Sequence, residues 1–335
     1  MAVERIALSN LARTVGQSID VLICCGSFED RCLSVSSAIE PASVRRVIVG
    51  EHVNLRRHVA ANTAKLMERF EEKSLALELN SASPIDSADK IADALAMCRS
   101  DVPQKVVVDV TTFTHESLLI LAELLGTVFS EEDDVYFVYS IAEEYAKGLP
   151  DSEKWLSKGI EDIRSVLGFP GSVLPGRGIH LILLHGLEPE RSKCLIANYE
   201  PAFLSLGRSD EVSALADKGL QSANRRVHVD VLDFATNTVD LEEFPFVAND
   251  PEESCQVIQQ RACQRDDLSV VVAPMNTKLS ALGAALAARN NRAIQICYAQ
   301  PVTYNYEGYS EPSGECYVFR MPGVLRDIRT GEGED

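Results

Sequence analysis

The stretch VVVDVTTFTHESLLILAELL (Val106–Leu125) passes from a β-branched apolar run, through a short polar turn, into a segment of helical period. SVVVAPMNTKLSALGAALAARN (Ser269–Asn290) repeats that layout, with Thr277 answering Thr114 at an offset of 163 residues. A strand apolar at every position has two faces to bury, and a helix directly after it supplies one cover. A chain that makes this junction twice is confined to the α/β class with mostly parallel sheets.

Other segments repeat in the same order. IHLILLHG (Ile179–Gly186) answers IDVLICCG (Ile19–Gly26), each a buried-strand run ending in Gly. The residues that follow, SFEDRC and LEPERS, each keep an acid before an Arg, as Asp30–Arg31 and Glu190–Arg191. VRRVIVG (Val44–Gly50) reads as the partner of NRRVHVD (Asn224–Asp230), both as strands, and VYFVYS (Val135–Ser140) as that of IQICYA (Ile294–Ala299), with Tyr139 over Tyr298. Strand–Gly and strand–helix punctuation recurs in unrelated α/β proteins. The shared order and the acid–Arg pair favour an internal duplication into two tandem Rossmann-like domains. A length of 335 residues suits two cores better than one. The expected division is residues 15–145, a linker at 146–178, residues 179–325, and a solvated acidic tail at 326–335. Within the Gly- and Pro-punctuated linker a short amphipathic helix is expected around Trp155, the only Trp, as a packing anchor.

Composition excludes several functions. The formal charge of −18 argues against long nucleic acid, which needs a basic face, but not against a small anion held by a few groups. No apolar run is long enough to span a bilayer, and MAVERIALSNLART has no continuous apolar core of the signal-peptide kind. Nine cysteines without a CxxC pair or a Cys/His cluster read as reduced, buried thiols of a cytoplasmic protein, among them Cys24, Cys98, Cys263 and Cys297. No metal or cofactor is expected. Neither GxGxxG nor GxxxxGK[ST] occurs at a strand–helix junction, which argues against an ordinary dinucleotide or P-loop site.

In an open parallel sheet, ligands sit beyond the carboxyl ends of the strands. The loops GSFEDR, DVTTFTHE, GLEPER and APMNTK belong there. Gly26 and Gly186 suit close backbone approach. Ser27, Phe28, Arg31 and Arg191 flank them. Helices beginning near Thr114 and Thr277 offer unpaired N–H groups to an anion. Thr111, Thr112, Thr114 and His115, with Met275, Asn276, Thr277 and Lys278, would line such a site, although Thr and Asn also cap helices generally. Tyr304, Tyr306 and Tyr309 lie on a Pro/Gly/Asn-rich loop and suit either stacking on a base or a self-packed lid.

These segments resemble the strand–turn–helix motif of CRISPR-associated Rossmann-fold sensor domains, in which an acid, a Thr, small residues and Thr-Lys follow an apolar strand. Asp109, Thr111, Thr112, Phe113 and Thr114 match it, with His115 at the Lys position. Met275, Asn276, Thr277 and Lys278 match its end, while Val272 and Pro274 replace the acid and the first Thr. CCGSFEDR resembles that family's first strand and ligand loop. The resemblance implies two Rossmann units paired about a two-fold axis, with a cyclic oligonucleotide between them in an antiviral setting.

Three readings follow. The first is a sensor or regulatory subunit that binds a small nucleotide-type ligand and passes its output to an effector chain, with self-association left open. The second is an enzyme acting on a nucleotide or nucleoside at the same crevice, with His115, Asp109 or Glu29 moving protons. The third is a scaffold with a degenerate ligand site. Cys24–Cys25 before the Gly loop is a further candidate nucleophile without a recognisable base. His185 is a candidate anion contact or a buried, hydrogen-bonded His. Arg45–Arg46 and Arg225–Arg226 are read as surface or interface charges.

Overall fold

Val106–Val108 and Leu181–Leu184 offer no polar position to solvent, so the strands they form must lie inside sheets covered on both faces. The computed structural model describes residues 3–150, 153–211, 218–321 and 323. Its first part runs β1 (Glu4–Ala7), α1 (Leu11–Val15), β2 (Ile19–Gly26), α2 (Ser34–Ser37), β3 (Val44–His52), α3 (Arg56–Phe70), β4 (Ser74–Leu79), α4 (Pro84–Cys98), β5 (Lys105–Asp109), α5 (His115–Val128) and β6 (Asp134–Tyr145). After β7 (Ser157–Lys158) and β8 (Asp162–Pro170) the pattern restarts with β9 (Ile179–Leu184), α6 (Pro189–Tyr199), β10 (Phe203–Glu211), α7 (Lys218–Thr236), β11 (Leu241–Val247), α8 (Pro251–Ala262), β12 (Ser269–Pro274), α9 (Lys278–Asn290) and β13 (Gln295–Gln300). The chain continues through β14 (Thr303–Tyr304) and β15 (Ser310–Arg320).

The two sheets share one plan. Five parallel strands lie in the order β4-β3-β2-β5-β6 in one and β11-β10-β9-β12-β13 in the other. These are two Rossmann-like α/β units. Each fifth strand then pairs with an antiparallel neighbour taken from the other part of the chain. β8 follows β6 in sequence but pairs with β13, and β15 follows β13 but pairs with β6. β1 pairs with the outer side of β15. The exchange is reciprocal, so neither part of the chain can be removed without breaking a ladder in the sheet of the other.

Alternation along the strands assigns the faces. Val21, Ile23 and Cys25 of β2, and Val106 and Val108 of β5, belong to the same core as Ile182 and Leu184 of β9 and Val270 and Val272 of β12. Helices α4, α5, α8 and α9 contribute to that shared core. Leu22, Cys24 and Val107 face a second core with α1–α3, and Leu181, Leu183 and Val271 a third with α6 and α7. The central helices are therefore apolar nearly all round: α9 buries every residue from Leu279 to Arg289. Gly283 is required there, because a Cβ would overlap Ser254 and Pro251 of α8.

Three expectations need correction. Asn224–Asp230 is part of α7, not a strand. Its apparent alternation comes second to Ala223, Val227, Val231 and Ala235, buried at the four-residue spacing of a helix face. The partner of β3 is β10 instead. The described residues of 146–178 hold no α-helix. Gly159 and Gly168 take positive φ, which interrupts a helix, and β8 is fixed by its ladder to β13, with Trp155 in the irregular stretch before β7. Cys263 is exposed, as is Cys194, whereas the other seven cysteines are buried. The acidic tail at 326–335 lies outside the described residues. Among the described residues no helix is long and apolar enough to cross a membrane.

Candidate functional site

The loops at the carboxyl ends of β2, β5, β9 and β12 meet in one cavity of about 180 Å3, lined from both units. Gly26, Ser27, Phe28, Glu29 and Arg31 enter from β2, and Thr111, Thr112, Thr114 and His115 from β5. Gly186 and Arg191 enter from β9, and Met275, Asn276, Thr277 and Lys278 from β12. Tyr304 and Tyr309 close one side. Tyr306 and Asp109 do not line it. Tyr306 stacks on His58, with ring centroids 3.6 Å apart.

Most of these polar groups are already engaged by the fold. Thr114 caps α5 by accepting the Ser117 N–H at 3.2 Å, and Thr277 caps α9 by accepting that of Ser280 at 3.0 Å. The Thr112 hydroxyl donates to the Cys25 carbonyl at 2.6 Å, and the Asn276 amide to that of His185 at 2.7 Å. Each contact ties the β5 or β12 loop to the end of β2 or β9. Gly26 and Gly186 serve packing within the protein: a Cβ would overlap Thr63 at the first and the Met275 carbonyl at the second.

The two arginines are pins for the exchanged segments. Arg31 donates to Glu29 at 2.8 and 3.0 Å, to Ser310 of β15 at 2.7 Å and to the Ser140 carbonyl of β6 at 3.0 Å. Arg191 donates to Ser157 of β7 at 3.2 Å and to the Ala299 carbonyl of β13. Ser157 in turn donates to Glu188 at 3.1 Å. The acid that pairs with Arg31 is Glu29 rather than Asp30, and the acid beside Arg191 in the cavity is Glu188 rather than Glu190.

What the fold leaves unused is narrower. Lys278 has no hydrogen bond or ion pair among the described residues. Burial lowers its ammonium pKa to about 8, with Arg31 and Arg191 adding repulsion against the opposing pull of Glu29 and Glu188. His115 and His52 each have a buried Nε2 without a protein partner. Burial depresses both imidazoles, His52 to about 4, and the charge on Lys278 depresses them further. Both are therefore neutral at pH 7. His52 is 5% exposed and lies at the end of β3, which the sequence reading passed over. The rule that ligands gather beyond strand ends applies to β3 as much as to β2 and was the available signal. Leu55, Val59, Ser157 and Tyr298 also line the cavity.

Among the proton-transfer candidates, Asp109 is fully buried and accepts hydrogen bonds from the Thr111 N–H and hydroxyl; burial raises its pKa to about 7. Glu29 is held by Arg31 and Ser310. Only His115 reaches the cavity with an uncommitted ring atom. Cys24 and Cys25 are buried, with thiol pKa values pushed well up by desolvation, the reverse of an activated nucleophile. His185 is fully buried outside the cavity, bonded to the Gly186 carbonyl at 3.0 Å and to His228 at 2.8 Å. Arg45, Arg46, Arg225 and Arg226 are exposed.

The aromatic lid is a packed cluster. Phe28 meets Tyr304, Tyr306 and Tyr309 at centroid distances of 5.7, 5.1 and 5.4 Å. Phe28, Tyr304 and Tyr309 also line the cavity, so the ring cluster forms part of its wall.

No known family profile matches the chain, and no curated protein does. Among solved structures it is similar to a type III CRISPR defence DNA nuclease activated by cyclic oligoadenylate, with a TM-score of 0.45 and 9% identity over 80% of this chain and 63% of that one. It is also similar to the mitomycin 7-O-methyltransferase MmcR, at TM-score 0.23 and 9% identity over 42% of this chain and 37% of that one. A third is a putative universal stress protein from Pseudomonas aeruginosa UCBPP-PA14, at TM-score 0.23 and 10% identity, covering 85% and 94%. The chain spans less than two thirds of the length of the first two.

Proposed function

We propose that the chain binds a small anionic ligand of the nucleotide class in the cavity shared by its two units and acts as a sensor or regulatory subunit. The observation that carries this reading is Lys278, a cation without a partner among the described residues, at the start of α9 in a cavity that the start of α5 also lines. Lys278 is half-buried, so its ammonium is only partly desolvated, and a bound anion would supply the partner that the fold does not. Two helix N-termini add positive partial charge at the same place. The faces of Phe28, Tyr304 and Tyr309 suit a nucleobase. The motif resemblance supports the nucleotide class and the defence setting. Sensing is favoured over turnover because Glu29 is held by Arg31 and Ser310 and Asp109 does not line the cavity, which leaves His115 there without a partner acid. Passing a signal on would require an effector chain.

Titration calorimetry of the full chain against linear and cyclic nucleotides tests this reading, with chromatography of the same mixtures for products. Binding that Lys278→Met abolishes, without product, is the expected result. Absence of binding, or binding indifferent to that substitution, contradicts it.

A further inference from the structure

The cavity has unequal sides. Of the two residues that open the central helices, one is a neutral imidazole, His115, and the other a cation, Lys278. A second neutral imidazole, His52, joins the first side. Charge counting over the lining is short, because the ionised groups are few. Glu29 and Glu188 oppose Arg31, Arg191 and Lys278, so two carboxylates stand against three cations and one positive charge is left. Arg31 and Arg191 are consumed in holding β15 and β7, which localises the excess on Lys278. Beyond the partial positive charge of the two helix N-termini, no lining cation is left for a second ligand charge, so each further charge has less to offset its desolvation.

Size points the same way. About 180 Å3 lies below the roughly 300–1,000 Å3 of pockets for drug-sized ligands. That favours a small ligand. The imidazole side adds chemistry: the Nε2 atoms of His52 and His115 are buried and unpartnered, so each needs a hydrogen-bond donor or acceptor from whatever fills the space.

Resting on the reading of this cavity as a nucleotide site, we propose that its ligand is a small, asymmetric nucleoside phosphodiester with a single negative charge. Its phosphodiester sits at Lys278, and its uncharged polar groups satisfy His52 and His115. A ligand with two-fold symmetry would place identical groups against an ammonium on one side and imidazoles on the other, and gains nothing from its symmetry. Lys278 sets the charge of the ligand, while His52 and His115, contributed by the other unit, set its polarity.

The test is calorimetry with the full chain near pH 7.5. The probes are the four 3′,5′-cyclic mononucleotides, each with one charge, the four nucleoside 5′-monophosphates, with nearly two, cyclic di-AMP and cyclic tetra-adenylate. The expected result is one molecule per chain of a cyclic mononucleotide, at least tenfold tighter than the matching 5′-monophosphate or either larger ring. Lys278→Met should remove it, and His52→Phe should weaken it with little change in melting temperature. Tighter binding of cyclic di-AMP or cyclic tetra-adenylate overturns the single-charge proposal and leaves the nucleotide site standing. No binding by any probe overturns both.

Discussion

The mouths of the two units were built on one plan, and comparing them separates scaffold from site. Where the residues repeat, they hold the fold. Arg31 and Arg191 pin the exchanged segments, Thr114 and Thr277 cap the central helices, and Gly26 and Gly186 admit neighbouring protein atoms. At one pair of differing positions a polar atom is left over on each side. His115 and Lys278 occupy equivalent positions, and neither ring Nε2 nor ammonium is used by the protein. A fused pair frees each copy to change alone, and the changes fall on the groups that face the cavity.

The largest expected effect would break this comparison if it failed. Arg31→Met strips a buried carboxylate, Glu29, of its partner and cuts the tie to β15. It should lower unfolding stability by about 3–5 kcal/mol in a denaturant titration. Lys278→Met removes a cation with no protein partner, so stability should hold or rise. If Lys278→Met destabilises as much as Arg31→Met, the division into pins and ligand groups is wrong.

Next comes affinity. Truncating one partner of a buried charge pair costs about 2–5 kcal/mol, so Lys278→Met should weaken the nucleotide by roughly 30-fold or more. A loss under threefold in calorimetry would place the anion elsewhere.

The pH dependence sharpens the same point. A bound anion raises the Lys278 pKa above its free value of about 8. Affinity attributable to this charge is full below pH 8 and falls above it, by up to about tenfold per unit. His52 and His115 stay neutral throughout that window, so a flat profile between pH 7 and 9.5 would contradict the assignment.

Asp109 supplies the smallest effect. Its raised pKa means the folded state holds its proton more tightly than the unfolded chain does. The stabilisation is full below about pH 4 and lost as pH rises through about 7. Asp109→Asn keeps an acceptor for Thr111 and cannot ionise. It should raise the melting temperature at pH 8 by a few °C, on the order of what 1–2 kcal/mol gives in a chain this long, and leave ligand affinity unchanged. A loss of binding would give this acid a role in the site.

Much of this plan was legible in the residues because burial on both faces leaves an unmistakable run. β2, β5, β9 and β12 could be read directly, and with them the loops that converge. The strand exchange was not legible. Residues 162–170 become an edge strand, and residues 310–320 a strand between β1 and β6, through pairing with distant partners, and local periodicity carries no record of that. NRRVHVD misled for the opposite reason: three alternating residues imitate a strand, while its buried face is set by α6 and the second sheet. Within the site, the sequence named the residues but not their duties. Thr114 and Thr277 resemble ligand groups until their capping bonds are seen, and His52 becomes conspicuous only through its unpartnered nitrogen.

The most direct measurement is the stoichiometry of ligand binding in the wild-type chain, in His115→Gln and in Lys278→Met. If the two mouths make one pocket, a single molecule binds per chain, and substitution on either side weakens that same event. Two molecules per chain, each sensitive to only one of the substitutions, would show two separate sites and contradict the account.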